Sequence, residues 1–151
     1  MRRPALACLA TIGIADYVIH HRSPSWLQVG ALDEPAHLAT AILLNERPTP
    51  AYLIGALLPD LDHVPLVFRD PTPGDSRPRT HSILTVLPAL AVSRDLAAGM
   101  LAHLARDLAL HAGAPVLWPL SSRSLRVPYA LYAAAVTALA VRARRRGSRA
   151  R

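Results

Sequence analysis

The sequence predicts an all-α fold, a bundle of five or six helices partly embedded in a membrane, and three observations carry that expectation. Apolar segments of helical length follow one another between Pro- and Gly-rich breaks, and no stretch alternates apolar and polar residues long enough to argue for a sheet. Hydrophobic residues make up 52% of the chain and charged residues 18%, with a mean hydropathy of +0.24, a composition typical of a protein that meets lipid. Within residues 99–119 an apolar helix carries His103, Asp107 and His111, each four residues from the next. Steps of four turn by about 40° around a helix, so the three share one stripe. A lone charge in an apolar helix is costly to desolvate, and a carboxylate with an imidazole one turn to either side points to a held cation.

A chain of 151 residues has room for one domain with a real core. It divides into an anchor helix and loop (1–30), a metal-site core (31–120), a C-terminal apolar helix (125–142) and a basic tail (143–151). Two arginines and the apolar residues 4–19 read as an anchor or half-buried helix. They do not read as a cleaved signal, because no small-x-small site precedes His20, His21 and Arg22, and Asp16 falls late in the run. Residues 20–30 read as a polar loop. Asp33 is expected to cap the next helix, with Pro35 in its first turn. Apolar runs follow at 37–44 and 51–58, the second ended by Pro59, and 69–79 is the clearest loop. Thr80 is the expected cap of a segment reaching about Ser93. The next helix is expected over about 94–112, stopped by Gly113 and Pro115. Residues 127–141 are uncharged and near the lower limit for crossing roughly 30 Å of hydrocarbon.

The net charge of +7 is unevenly placed. Arg142, Arg144, Arg145, Arg146, Arg149 and Arg151 lie in the tail, and the remaining arginines nearly balance the ten acids. The tail therefore reads as a topology determinant beside anionic membrane lipid. No nucleic-acid partner is expected, and both termini are expected on the cytoplasmic side of the cell membrane. The lone Cys8 excludes an internal disulfide and a thiolate zinc site. Any metal must be held by His and carboxylate, which suits zinc and, with more oxygen ligands, manganese.

The internal acids and histidines gather at the mouths of apolar segments or inside them: Glu34, His37, Asp60, Asp62, His63, His81, His103, Asp107 and His111. Ligands drawn from several helices are a known way to build a metal centre in a bundle core. Four ordered motifs carry a resemblance. They are Asp33-Glu34-Pro35-Ala36-His37, then Gly55-Ala56-Leu57-Leu58-Pro59-Asp60-Leu61-Asp62-His63, then Arg79-Thr80-His81-Ser82, then His103-x3-Asp107 followed by Gly113-Ala114-Pro115-Val116-Leu117-Trp118-Pro119. Together these resemble the successive signatures of the YdjM-like membrane-bound metal-dependent hydrolases, over residues 33–119. That family's motif pattern is in turn similar to that of zinc-dependent phospholipase C.

The resemblance implies one or two divalent ions, zinc foremost, on His37, Asp62, His81, His103 and Asp107. It also implies hydrolysis of a small-molecule or lipid phosphoester. Many family members have Thr three residues after the helix Asp, where this chain has Leu110, so His111 stays outside the implied set as an additional candidate beside His63. Asp60 or Glu34 is the candidate base, and Arg77 and Arg79, just before His81, are candidates for binding substrate phosphate. Two other readings stay open: a non-enzymatic membrane protein whose His/Asp site only ties helices together, and a polar network that binds no metal and moves protons.

Overall fold

The computed structural model describes residues 3–22, 24–69, 80–110 and 113–149. Among these lie α1 (Arg3–His21), α2 (Trp26–Leu44), α3 (Pro50–Leu57), a 3-10 turn (Leu58–His63), α4 (Val64–Arg69), α5 (Ile83–Val92), α6 (Arg94–Asp107) and α7 (Tyr129–Arg149). Six of these helices have eight residues or more, and no strand occurs among the described residues, as an all-α chain requires. An isolated bridge joins Ala114 to Leu125.

Several helix boundaries differ from the sequence expectation, each for a local reason. Residues 20–30 are only in part a loop, since α1 runs to His21 and α2 begins at Trp26. Ser25 caps α2 through a capping box in which its hydroxyl accepts from the Gln28 amide and the Gln28 side chain accepts from the Ser25 amide. Asp33 therefore caps nothing, and it and Pro35 stand inside the helix. Ser82, rather than Thr80, caps α5 by accepting from the Leu84 amide. Helix α6 stops at Asp107 rather than at 112: the amides of Ala109 and Leu110 turn back to the Arg106 and Asp107 carbonyls, so the stripe of fourth residues ends with Asp107. His111 and the paired Arg77 and Arg79 lie outside the described residues.

Helix α6 is central, packed against α2, α3 and α5, while α2 also meets α1 and α7. The α3–α6 contact is backbone on backbone. A Cβ on Gly99 would lie 2.0 Å from the Tyr52 carbonyl oxygen, and one on Gly55 would lie 2.1 Å from that of Leu96, so only glycine permits the approach. The Thr49 hydroxyl donates to Asp95 at 2.6 Å and fixes the two helices side by side in the same direction. A second apolar layer is formed by Ile12, Ala15 and Ile19 of α1, Ala36 and Leu43 of α2, and Tyr132 and Val136 of α7. Cys8 fills space in this layer.

Among the described residues, no helix is long and apolar enough to cross a membrane. The run expected to approach a span at the C-terminus falls in a helix whose last third is arginine-rich, and the N-terminal helix contains Asp16, His20 and His21. Apolar side chains nevertheless face outward: Leu6, Ile14 and Tyr17 on α1, Leu87, Leu90 and Val92 on α5, and Leu131 and Val141 on α7.

Candidate metal centre

The close approach of α3 and α6 determines the first ligand. With the buried Ala56 carbonyl near the end of α3 drawn against α6, His103 Nδ1 donates to it at 2.8 Å. Because Nδ1 faces a carbonyl it must carry the hydrogen, and Nε2 is turned into the bundle. There it lies 3.0 Å from Asp107 Oδ2, 3.5 Å from Asp60 Oδ1 and 3.3 Å from His81 Nε2. His81 Nε2 in turn lies 3.0 Å from Asp60 Oδ1 and 3.2 Å from Asp107 Oδ2.

His37, from the middle of α2, stacks flat on His103 with ring centroids 3.7 Å apart. Its Nε2 lies 3.6 Å from Asp107 Oδ1, 3.7 Å from Asp33 Oδ2 and 3.8 Å from Asp60 Oδ2. Both nitrogens of His37 are buried with no hydrogen bond. His37, His81 and His103 are fully buried.

The 3-10 turn supplies the carboxylates. Pro59 ends α3, since its nitrogen has no hydrogen to continue the helix, and the turn that follows swings Asp60 inward. Asp60 Oδ1 also lies 3.0 Å from His63 Nδ1. Asp62 is farther out. It bonds to the Thr80 hydroxyl, which also bonds the Pro59 carbonyl at 2.8 Å, and it lies 3.6 Å from His63.

The loop after α6 completes the frame. The Ser82 hydroxyl donates to the Trp118 carbonyl at 2.6 Å and the Ile83 amide to that of Val116 at 2.9 Å. The motif at 113–119 thus braces the turn that presents His81.

Three groups of side chains have donor atoms close enough to share an ion: His37, His103 and Asp107; Asp60, His63 and His81; and Asp33, His37 and Asp60. Of the ligands implied by the resemblance, His37, His81, His103 and Asp107 come together. Asp60 stands at their centre, and Asp62 belongs to none of the three groups. Glu34 reaches the same centre, with Oε2 buried and lacking a hydrogen bond.

The electrostatics follow from crowding. Burial would raise the Asp60 carboxyl, but its bonds to His103, His63 and His81 hold it far below the carboxylate range. Burial would lower His103, but Asp107 and Asp60 outweigh that and hold it well above an ordinary imidazole. Burial and the adjacent His103 push His37 down. Burial and Asp60 push the Glu34 carboxyl up to about 7.

A second buried polar group, legible in neither motif nor spacing, adjoins this one. Arg106 is fully buried. Its Nη2 donates to Asp16 of α1 at 2.7 Å and to Asp33 of α2 at 2.6 Å. Its Nη1 donates to the Tyr132 hydroxyl of α7 at 3.1 Å, and that hydroxyl lies 2.7 Å from the Thr40 hydroxyl. The Tyr129 hydroxyl donates to the other oxygen of Asp16 at 2.7 Å. The signal in the sequence was Asp16 itself, an acid alone in an apolar helix.

In comparison with known proteins, the family model described as YdjM inner membrane protein matches residues 16–150. No curated protein and no solved structure gave a match.

Proposed function

Because the chain belongs to the YdjM inner membrane protein family, and because its buried His and Asp side chains converge on a point that only a cation suits, we propose that it is a membrane-associated metal-dependent hydrolase of phosphoesters. The observation that carries this reading is that His103 Nε2 and His81 Nε2, 3.3 Å apart, each lie within 3.0 to 3.5 Å of both Asp60 Oδ1 and Asp107 Oδ2. Lone-pair atoms so close repel unless something positive lies among them. In the metal-free protein a proton on His103 meets that need. Three imidazoles and two or more carboxylates are also the donor set of zinc or, with more oxygen, manganese.

His37, His81, His103, Asp60 and Asp107 hold the ion or ions in this reading. Asp62, tied to Thr80, steadies the 3-10 turn. A divalent ion supplies Lewis acidity that acidifies water and polarises a phosphoryl oxygen. Glu34, whose carboxyl is buried and faces Asp60, takes the proton. Asp60, His63 and Asp62 are partly exposed, in contrast to the helix histidines, which supports substrate entry beside the 3-10 turn. Arg77 and Arg79 precede His81 in the sequence and suit the substrate phosphate.

The membrane half of the proposal rests on the family and on the outward apolar side chains. The link from Asp16 to Tyr129 sets the end of α1 beside the start of α7. The arginines at both ends of the sequence suit the cytoplasmic face.

Metal analysis of the protein purified in detergent, with a panel of nitrophenyl phosphoesters, tests the reading. Stoichiometric zinc or manganese and hydrolysis are expected, both lost in His103→Ala. Absence of stoichiometric metal, or full retention of it in His103→Ala, overturns it. Full burial of the three histidines favours the second reading, a structural site. Tightly held metal whose removal unfolds the protein, with no hydrolysis across the panel, would establish that reading instead.

A further inference from the structure

Arg106 and Asp107 are neighbours in the chain, so their side chains leave α6 about 100° apart. Asp107 enters the metal centre, whereas Arg106 enters the layer formed by α1, α2 and α7. One side chain touches both regions. Asp33 gives Oδ1 to Arg106, with Nε at 3.2 Å and Nη2 at 2.6 Å, and turns Oδ2 to within 3.7 Å of His37 Nε2. Asp33, His37 and Asp60 offer donor atoms close enough to share an ion.

We infer that Asp33 is a further metal-binding carboxylate and that Arg106 is its positioning residue, clamping one oxygen so that the other faces the ion. The clamp is itself rigid. Asp16 and the Tyr132 hydroxyl hold the guanidinium at 2.7 and 3.1 Å, and Tyr132 is anchored in turn on Thr40 of α2. A two-nitrogen contact to a single carboxylate oxygen leaves the second oxygen free for another partner, whereas a fork engaging both oxygens would use them up. The two outermost helices thereby bear on the centre through a single carboxylate, although neither contributes a ligand.

The inference rests on the metal reading above and deepens it. Its test is the affinity for zinc or manganese alone, measured by competition with a chromogenic chelator, together with the melting temperature of the metal-free protein. Four proteins are compared: the unaltered chain, Asp33→Asn, Arg106→Lys and the double variant. Partners that orient a metal site typically change affinity about 10- to 100-fold. Asp33→Asn is expected to fall in that range and Arg106→Lys at its lower end, with the double variant no weaker than Asp33→Asn alone, since Arg106 acts through Asp33. Unchanged affinity in both single variants, with only the metal-free melting temperature lowered, overturns the inference and leaves the metal reading standing. Losses that simply add overturn the link between the two residues. If the unaltered chain binds neither ion, the metal reading fails and this inference falls with it.

Discussion

Two buried polar regions lie back to back on α6, and they are built by opposite rules. Around Arg106 donors meet acceptors: guanidinium nitrogens face Asp16 and Asp33, and the Tyr129, Tyr132 and Thr40 hydroxyls bond within the same layer. Around His103 the neighbours are nearly all acceptors, and His37 has two buried nitrogens with no hydrogen bond. Burying polar groups is cheap only when they are paired. The first region meets that condition with its own side chains, whereas in the second both His37 nitrogens stay unpaired. The contrast separates a polar network paired within itself from one that leaves buried donor atoms unpaired.

The comparison is broken most directly by removing each region's key charge. Arg106→Met strands Asp16 and Asp33 without their cation, and breaking a buried pair costs about 3–5 kcal/mol. Asp107→Asn in the metal-free protein is expected to cost less than that, because Asp60 still faces His103. Urea unfolding in the presence of a chelator measures both. Equal losses would mean that the His/Asp cluster is as much a structural network as the Arg106 layer.

These two regions were not equally legible in the sequence. Helical periodicity and ordered motifs led to His37, His81, His103 and Asp107, since the spacing of four on α6 is visible without a structure. The same periodicity carried the α6 stripe one turn too far, because the local turn at 108–110 leaves no periodicity signal of its own. Asp33 was read as a helix cap because Ser25 and Gln28 looked like loop residues, and a carboxylate before proline fits either role. The resemblance implied Asp62 as a ligand and left Asp60 as a base, whereas in the fold Asp62 bonds the Thr80 hydroxyl and Asp60 faces His81 and His103. The Arg106 layer joins residues as far apart as 16 and 132. Pairing over such distances leaves no local pattern, only the anomaly of single charges in apolar helices. The close packing of Gly55 on Gly99 likewise became visible only when both helices were in place.

A smaller effect sharpens the picture of the paired region. Tyr132 is buried and bonds two partners, one of them charged, so Tyr132→Phe is expected to cost about 1.5 kcal/mol. Tyr129, 42% exposed, bonds only toward Asp16 among its described hydrogen bonds, and Tyr129→Phe is expected to cost less. Thermal melting of the two variants in chelator checks the order. A reversed order would place the anchor of the layer on α1 rather than α2.

A further effect concerns pH and belongs to the His/Asp region. The Glu34 carboxyl is pushed from 4.5 to about 7 in the folded protein, chiefly by burial and then by Asp60. A carboxyl whose pKa is higher folded than unfolded favours the folded state while it is protonated. That preference fades as pH rises from about 4.5 through about 7, because the unfolded chain ionises first. Asp33 and Asp60 are shifted the other way, so their contribution changes only at more acidic pH, below 3.8. Over the interval from pH 5 to pH 8, then, metal-free Glu34→Gln should gain stability relative to the unaltered chain, the difference in urea midpoint widening toward pH 8. A difference that stays constant across that interval would mean that Glu34 does not feel the acceptor crowd, and it would remove the carboxyl from the base role in the proposed hydrolysis.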